Sequence, residues 1–392
     1  MIVLEIKQAL VSCTLSANVF YLLAAIAGLR FFSRSEPDEG CILAPATIMI
    51  PLHGADFDAY QNYARFCRQD YPEYQIVFGV RDPRDPSIPI VQGLIEEFPD
   101  RDIALVVSDH TIGQNLKVSN LQNILERVKH EQIVIVDSDI RVSRDYLRRV
   151  LAPLADERVG LVTCLYRAAD APDLGAKLEA VGIAAEFTPG VLMAWMLEGV
   201  KFALGSTMAT TRTRLEAIGG FRAVADYLAD DFKLGNLIAQ AGYEIHLSNY
   251  IVETAMHPAG LVGMLRHQLR WARSTRVSRP FGYLGVILTY GTALALLTVA
   301  VDRASFLSLL LLAATLVVRL ATGWLIGVHW VGDKILKKYF WLLPVRDLLG
   351  FLIWCSSWVG RRVEWRGRVF EVGRDGKMTQ VERAETVERV HS

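Results

Sequence analysis

The chain has 392 residues, with 42 basic and 42 acidic side chains, and 52% of its residues are hydrophobic. Charge balance and the lack of a long basic run exclude an electrostatic footprint for nucleic acid, so no nucleic-acid partner is expected. The positive mean hydropathy exceeds what a soluble domain of this length needs, and assigns part of the chain to lipid.

The first element is a membrane anchor. Gln8 to Leu29 carries no charge, enough helix to cross a hydrocarbon core of roughly 30 Å. A basic n-region and a small-residue cleavage site are both missing, so residues 1–32 read as an uncleaved anchor. Arg30 and Arg34 follow it, and the positive-inside rule puts that side in the cytoplasm.

Residues 33–280 contain no uncharged run of membrane length and read as a cytoplasmic domain. Apolar, β-rich runs recur as ATIMIPL, YQIVFGV, IALVVS, QIVIVD and GLVTCLY. Helix-compatible segments such as DAYQNYARFCRQD and SIPIVQGLIEEF lie between them. This alternation predicts an α/β fold, a mostly parallel sheet with helices on both faces. Ligands of such sheets bind at the carboxyl ends of strands. There the chain has Arg81-Asp82-Pro83 after one run and Asp137-Ser138-Asp139 after another.

Residues two apart on an extended chain face one way, so Asp137 and Asp139 can converge on one ion. Hard oxygen ligands suit Mg²⁺ or Mn²⁺, ions that bridge a protein to a diphosphate. Equally, Asp137 can cap a helix and Asp139 can pair with Arg141. Neither GxGxxG after a strand nor GxxxxGK[ST] is present, which leaves dinucleotide and P-loop readings without support. Lys117 and Asn120 read as a polar loop, and Asp230 and Asp231 as acidic residues opening a helix. Gly205-Ser206-Thr207 and Gly219-Gly220-Phe221 read as places of close backbone approach or as plain turns.

Residues 281–360 read as a second membrane region. Phe281 to Val301 is uncharged, and Ser305 to Val328 is interrupted only by Arg319, which is expected to snorkel toward the cytoplasmic end. Phe340 to Gly360 holds Arg346 and Asp347 mid-segment and is followed by Arg361, Arg362, Arg366 and Arg368. A crossing would put those arginines outside, so a shallow or re-entrant helix with wet charges is expected. Residues 361–392 read as a cytoplasmic hairpin and tail, with VEWRGRVFEV turning at Arg366-Gly367. The five cysteines, Cys13, Cys41, Cys67, Cys164 and Cys355, have no CxxC spacing and fit a reducing compartment.

In their order, RDPRDP (81–86), GQNLKVSN (113–120), DSDIRV (137–142), YLADDF (227–232), Arg270-Trp271 and VEWRGRVFEV (363–372) carry a resemblance. Together they resemble the membrane glycosyltransferases of the GT-A fold, especially the ceramide glucosyltransferase family and its bacterial relatives in hopanoid biosynthesis. The resemblance implies Asp82 and Lys117 at the donor, and Asp137 and Asp139 on a metal-bound UDP-sugar. It makes Asp231 the catalytic base, with Asp230, Arg270 and Trp271 near the acceptor and diphosphate. His267 stands where the family has Gln or Arg.

The implied protein is a multi-pass enzyme of the inner membrane that inverts the anomeric centre as it glycosylates a lipid hydroxyl. N-acetylglucosamine transfer to bacteriohopanetetrol is the first expectation and glucose transfer to ceramide the second. A processive polysaccharide synthase would need a larger helical bundle. A non-catalytic membrane binding protein would leave the strand-end carboxylates unexplained.

Overall fold

A computed structural model describes residues 2–35, 43–365 and 367–381. Cys41, Arg366 and the tail beyond residue 381, Ser392 included, lie outside the described residues. An eight-stranded sheet runs in the order β3-β2-β1-β4-β7-β6-β8-β5. Its strands are β1 (Ala46–Pro51), β2 (Tyr74–Val80), β3 (Asp102–Val107), β4 (Gln132–Ile135), β5 (Ile140–Arg141), β6 (Val159–Ala168), β7 (Met208–Thr211) and β8 (Glu244–Thr254). The half made of β3, β2, β1 and β4 is parallel, β7 is antiparallel to both neighbours, and β6 and β8 are parallel again. All five apolar runs read from the sequence are strands. The three shorter or more polar ones, β5, β7 and β8, carry no such run.

The strand pleat sends alternate side chains to two cores. Ile48, Ile50, Ile76, Phe78 and Val134 pack on α2 (Ala59–Cys67) and α3 (Ile88–Glu97). Met49, Val77, Ile133 and Ile135 pack on α4 (Leu116–Leu125). Beyond them come α5 (Tyr146–Leu151), α6 (Leu174–Gly182), α7 (Thr188–Glu198), α8 (Arg212–Ala217), α9 (Asp230–Gln240) and α10 (Gly260–Ser278).

The segment expected as an anchor is α1 (Ile2–Phe32), long and apolar enough to cross a membrane, and its C-terminal end joins the second of these cores through Ala24, Ala27 and Phe31. Phe31 meets Trp195 of α7 edge to face at 5.2 Å. The helical run Leu174–Glu198 is long and apolar enough to cross a membrane. The charges at Lys177, Glu179, Glu186 and Glu198 hide this in the sequence, and most of the run is buried inside the protein.

The second membrane region differs from the expectation in three ways. First, Phe281 to Val301 is not one helix. It breaks into α11 (Pro280–Gly285), a 3₁₀ turn and α12 (Gly291–Val301), bent by 65°. The Tyr21 hydroxyl sits in the break, donating to Thr289 O and accepting from Gly291 N–H, both at 2.8 Å. Second, Arg319 of α13 (Phe306–Gly323) does not snorkel. It is 2% exposed and grips Asp347 in a bidentate pair, with contacts of 2.7 Å and 3.0 Å. Third, the charges of α15 (Leu343–Ser357) are not wet. Arg346 pairs with Glu186 at 3.0 Å and donates to Gln268 at 2.9 Å, and Asp347 accepts from Thr292 at 2.7 Å. A buried charge is costly unless partnered, and each partner lies on another helix.

A short helix, α14 (Lys334–Lys338), precedes α15. After α15 the expected hairpin forms from β9 (Arg362–Trp365) and β10 (Arg368–Val372), with Gly367 at φ 73° between them. A third strand, β11 (Met378–Gln380), extends it.

Candidate active site

Asp137 follows β4 and Asp139 precedes β5, so both leave the sheet at the carboxyl end of its central strand. Lys117 reaches them from α4, and it is not in a loop. Asn115 caps this helix by accepting from the Lys117 and Val118 N–H groups, which turns the polar GQNLKVSN segment into a first helical turn. The Lys117 Nζ lies 2.5 Å from Asp137 Oδ1 and 3.9 Å from Asp230 Oδ2. Asn120 is buried on the same helix and donates to Gly79 O at 2.7 Å, which makes it a tie to β2.

Asp230 and Asp231 open α9, as the acidic first turn predicted. Asp230 is buried and accepts from the Asn115 amide at 3.2 Å. Asp231 points toward Gly205. Its Oδ2 accepts the Gly205 N–H at 2.9 Å. A methyl group at Gly205 would stand 3.0 Å from Asp231 Oδ2 and 3.2 Å from Asp137 Oδ2. The two carboxylates therefore converge on one glycine. Gly219 and Gly220, at φ 91° and 64°, serve a turn after α8 that few other residues would tolerate.

The electrostatics follow from crowding. Burial and the neighbouring Asp137 push the Asp139 carboxyl up to about 7, while the Thr254 hydroxyl, 2.8 Å away, opposes them. Asp231 is pushed up to about 6 by burial and by Asp230, against the pull of Lys117. Burial also raises Asp230, with Lys117 again opposing. Burial alone would lower the Lys117 amine, but Asp137 and Asp230 outweigh it and hold it above its ordinary value.

No three acidic, histidine or cysteine side chains group as a metal site among the described residues. A pair suffices for Mg²⁺ or Mn²⁺ on a nucleotide, since such ions take one or two protein carboxylates and complete their shell with phosphate and water. The residues fit that use. The charged groups that weigh most on Asp139, namely Asp137 and Asp56, are both acidic.

The other expected residues lie around this cluster. Asp82 lies two residues beyond β2 and is exposed, and its carboxylate binds Arg84 (Oδ1 to the backbone N–H at 2.8 Å) rather than the cluster. His267, Arg270 and Trp271 share α10. His267 Nδ1 meets Glu179 Oε1 at 2.6 Å, and its ring lies 4.7 Å from that of Trp271. Tyr166 lies on β6, with its ring 5.2 Å from that of Phe187. Burial raises its phenol well above the usual value, reinforced by Asp231, Asp139 and Asp137 and by Glu179. Sequence reasoning missed Asn115, Thr254, Tyr166, Glu179 and the pair His257–Asp56, joined at 3.1 Å. Of these only Asn115 had a local signal, as a capping residue two positions before Lys117.

A mostly parallel α/β sheet with acidic residues at its strand ends, fused to apolar helices, is an architecture of the GT-A type. A mannosyltransferase from Pyrobaculum calidifontis, solved with GDP-Man and Mn²⁺, shares the fold at TM-score 0.56 and 19% identity, over 91% of this chain and 99% of that one. The chain belongs to glycosyl transferase family 21, whose model matches residues 9–378.

Among curated relatives, ceramide glucosyltransferase 1 of Caenorhabditis elegans is 24% identical over 238 residues, 59% of this chain and 50% of that protein. The ceramide glucosyltransferase of Candida albicans is 33% identical over 132 residues, 30% of this chain and 24% of that protein. The chain thus spans about half the length of the curated relatives it matches, or less.

Proposed function

We propose that this protein transfers glucose from UDP-glucose to the primary hydroxyl of a ceramide-type lipid at the membrane surface, inverting the anomeric centre. The relatives favour this reading over transfer of N-acetylglucosamine to bacteriohopanetetrol, because those reported above are ceramide glucosyltransferases. The observation that carries the chemistry is the convergence of Asp137 and Asp231 at Gly205. It brings the expected donor-metal carboxylate and the expected base within reach of one reacting centre.

In the proposed reaction the acceptor oxygen attacks the sugar C1. The bond from C1 to the diphosphate oxygen breaks with its electron pair leaving on UDP, and the hydroxyl proton passes to Asp231. The Gly205 N–H holds one Asp231 oxygen in place, and the raised carboxyl is a better proton acceptor than an ordinary aspartate. A Mg²⁺ or Mn²⁺ ion on Asp137 and Asp139 would supply charge neutralisation of the leaving diphosphate. Lys117 orients Asp137 and Asp230, with its Nζ 2.5 Å from one carboxylate and 3.9 Å from the other. Asp82 is assigned to the nucleoside, and Arg270 and Trp271 to the diphosphate and acceptor. His267 would act indirectly, bracing α10 through Glu179.

The membrane arrangement we propose has the sheet domain, α14 and the β9–β11 sheet on one side, the cytoplasmic one. Four observations support it. Lys7 near the start of α1 pairs with Asp302 at the α12–α13 turn, 2.5 Å apart, so that turn lies at the far end of the anchor. Arg167 of β6 donates to Val331 O at 2.7 Å, which returns the chain to the sheet domain before α14. The Tyr283 and Ser357 hydroxyls meet at 2.6 Å, joining the start of the region to its end. Met378 N–H donates to Asp226 O at 2.7 Å. With α15 beginning and ending on the same side, residues 340–360 enter the membrane without crossing it, and the domain limits 1–32, 33–280, 281–360 and 361–392 follow.

Chromatography of products from purified protein, given labelled UDP-glucose or UDP-N-acetylglucosamine with ceramide or a hopanoid polyol, tests the activity. Glucosylceramide is the expected product. Transfer to the polyol alone would overturn the ceramide reading, and a polymer or no product would overturn lipid glycosylation.

A further inference from the structure

A cavity lies away from the carboxylates. It has a volume of about 530 Å³ and lies between the C-terminal ends of α10 and α15 and the turn after β10. Arg276, Arg361 and Arg374 line it together with Trp358, Val277 and Pro280, and none of its lining residues is acidic. Arg276 is fixed in place. It donates to Ser357 O, to Gly360 O at 2.9 Å, and lies 5.7 Å from the Trp358 ring. Arg361 and Arg374 are exposed, and neither guanidinium makes a hydrogen bond or ion pair with another described residue. The nearest carboxylate in sequence, Asp375, accepts the Lys377 N–H at 3.2 Å.

The surroundings place this basic cavity at a lipid boundary. Phe281 beside it is 91% exposed and Val359 is 73% exposed, a degree that water does not favour for side chains of this type. Trp358 between them has the amphipathic ring that settles at headgroup level. Apolar side chains thus rim a cavity whose walls carry three guanidinium groups and no acid. Guanidinium is the side chain best matched to phosphate, and basic pockets between membrane helices on the cytoplasmic side take anionic headgroups.

We infer that this cavity binds the phosphate of an anionic phospholipid from the cytoplasmic leaflet. The inference rests on the membrane arrangement proposed above, and is independent of which sugar and acceptor the protein uses. It also has a route to the carboxylates. Val372, Gly373 and Arg374 line the cavity, and the turn they begin bonds the loop before Asp230, through Leu228 N–H to Gly376 O at 3.3 Å and Met378 N–H to Asp226 O at 2.7 Å. A bound headgroup would hold the three-stranded sheet against that loop.

The test uses the full chain in nanodiscs of phosphatidylcholine containing a minority of phosphatidylglycerol, with retained lipid read by native mass spectrometry after gentle extraction. The wild type should retain phosphatidylglycerol in preference to phosphatidylcholine. The double variant Arg361→Gln, Arg374→Gln should retain roughly 25-fold less, a factor of about five for each arginine near an anionic surface. Both side chains are exposed, so the variant should keep the wild-type melting temperature. Equal retention of the two lipids by the wild type, or unchanged retention by the variant, overturns the proposal. Inorganic phosphate that displaces the lipid at equal concentration makes free phosphate the ligand and also overturns it. Release of the wild type from native membranes by alkaline carbonate would overturn the membrane arrangement itself, and this proposal with it.

Discussion

Gly205→Ala puts one methyl group between the two carboxylates that the proposed chemistry depends on. Built on the present backbone, it would lie 3.0 Å from Asp231 Oδ2 and 3.2 Å from Asp137 Oδ2, where ordinary contact begins at 3.4 Å. Both oxygens must give by a few tenths of an ångström, and the Gly205 N–H bond to Asp231 must shift with them. A misplacement of about 1 Å at a reacting centre costs on the order of 10²-fold, so this smaller displacement should lower kcat about tenfold. Gly205→Val, with two more carbons in the same gap, should approach the ~10²-fold loss.

The assay is initial-rate glucose transfer to ceramide in nanodiscs, with UDP affinity measured separately by titration and folding by thermal melting. Gly93→Ala is the control. Gly93 lies on exposed α3 with nothing within 4 Å of its added methyl, so activity should hold and stability should rise by about 0.5–1 kcal/mol. A Gly205→Ala protein with wild-type kcat and melting temperature would refute the idea that these two carboxylates work at one centre.

Four further outcomes follow. Asp231→Asn should lose about 10²–10⁴-fold in transfer while still binding UDP, and a dead Asp230→Asn beside an active Asp231→Asn would reassign the base. Chelation should abolish transfer, with Mg²⁺ or Mn²⁺ restoring it, and Asp139→Asn should weaken UDP-sugar affinity without unfolding; full activity in excess chelator would remove the metal. Transfer should fall as pH drops through about 6, because Asp231 accepts a proton only as the anion and its carboxyl is raised to that value by burial and Asp230; a flat rate from pH 7 to pH 5 would count against Asp231. Asp139 is raised above its unfolded value, so its neutral form favours the fold, and the stability this adds is complete below about pH 4 and lost as pH rises to about 7; without divalent ions, the melting-temperature advantage of Asp139→Asn over wild type should therefore grow between about pH 4 and pH 7 and level off above it.

The parts of this fold that were legible in the sequence are those where one local pattern has one physical meaning. A strand buried on both faces must be apolar throughout, so QIVIV announced β4, and the carboxylates after it had to lie at the strand's carboxyl end. Strand β7 was not legible, because MATT is short and half polar, and its place between β4 and β6 is set by pairing with distant strands. Lys117 was read as a loop residue for a different reason. GQNLKVSN is polar in composition, and its helical state depends on one cap, Asn115, and on burial of Val118 and Leu121 against the sheet. The clustering of Lys117 with Asp230 joins residues more than a hundred positions apart, which no spacing rule encodes.

The charges of the second membrane region make the same point with higher stakes. From sequence alone, Arg319, Arg346 and Asp347 must stay wet, because an unpaired charge in hydrocarbon costs several kcal/mol. The structure meets that cost with partners. Arg319 takes Asp347, whose second oxygen also receives Thr292, while Arg346 takes Glu186 from the helical run between α6 and α7. Arg346 also donates to Gln268, and Gln268 in turn donates to Glu179, the residue that holds His267. A chain of charged and amide groups therefore runs from inside the helical bundle to the helix carrying Arg270 and Trp271. Breaking one partner of a buried pair leaves the other uncompensated, so Arg319 and Asp347 fix helices α12, α13 and α15 to one another, while Arg346 fixes α15 to the helical run between α6 and α7 and to α10. Their burial explains why α15 can carry an arginine and an aspartate at its apolar centre, and why α10 has a fixed bearing on the bundle beneath it.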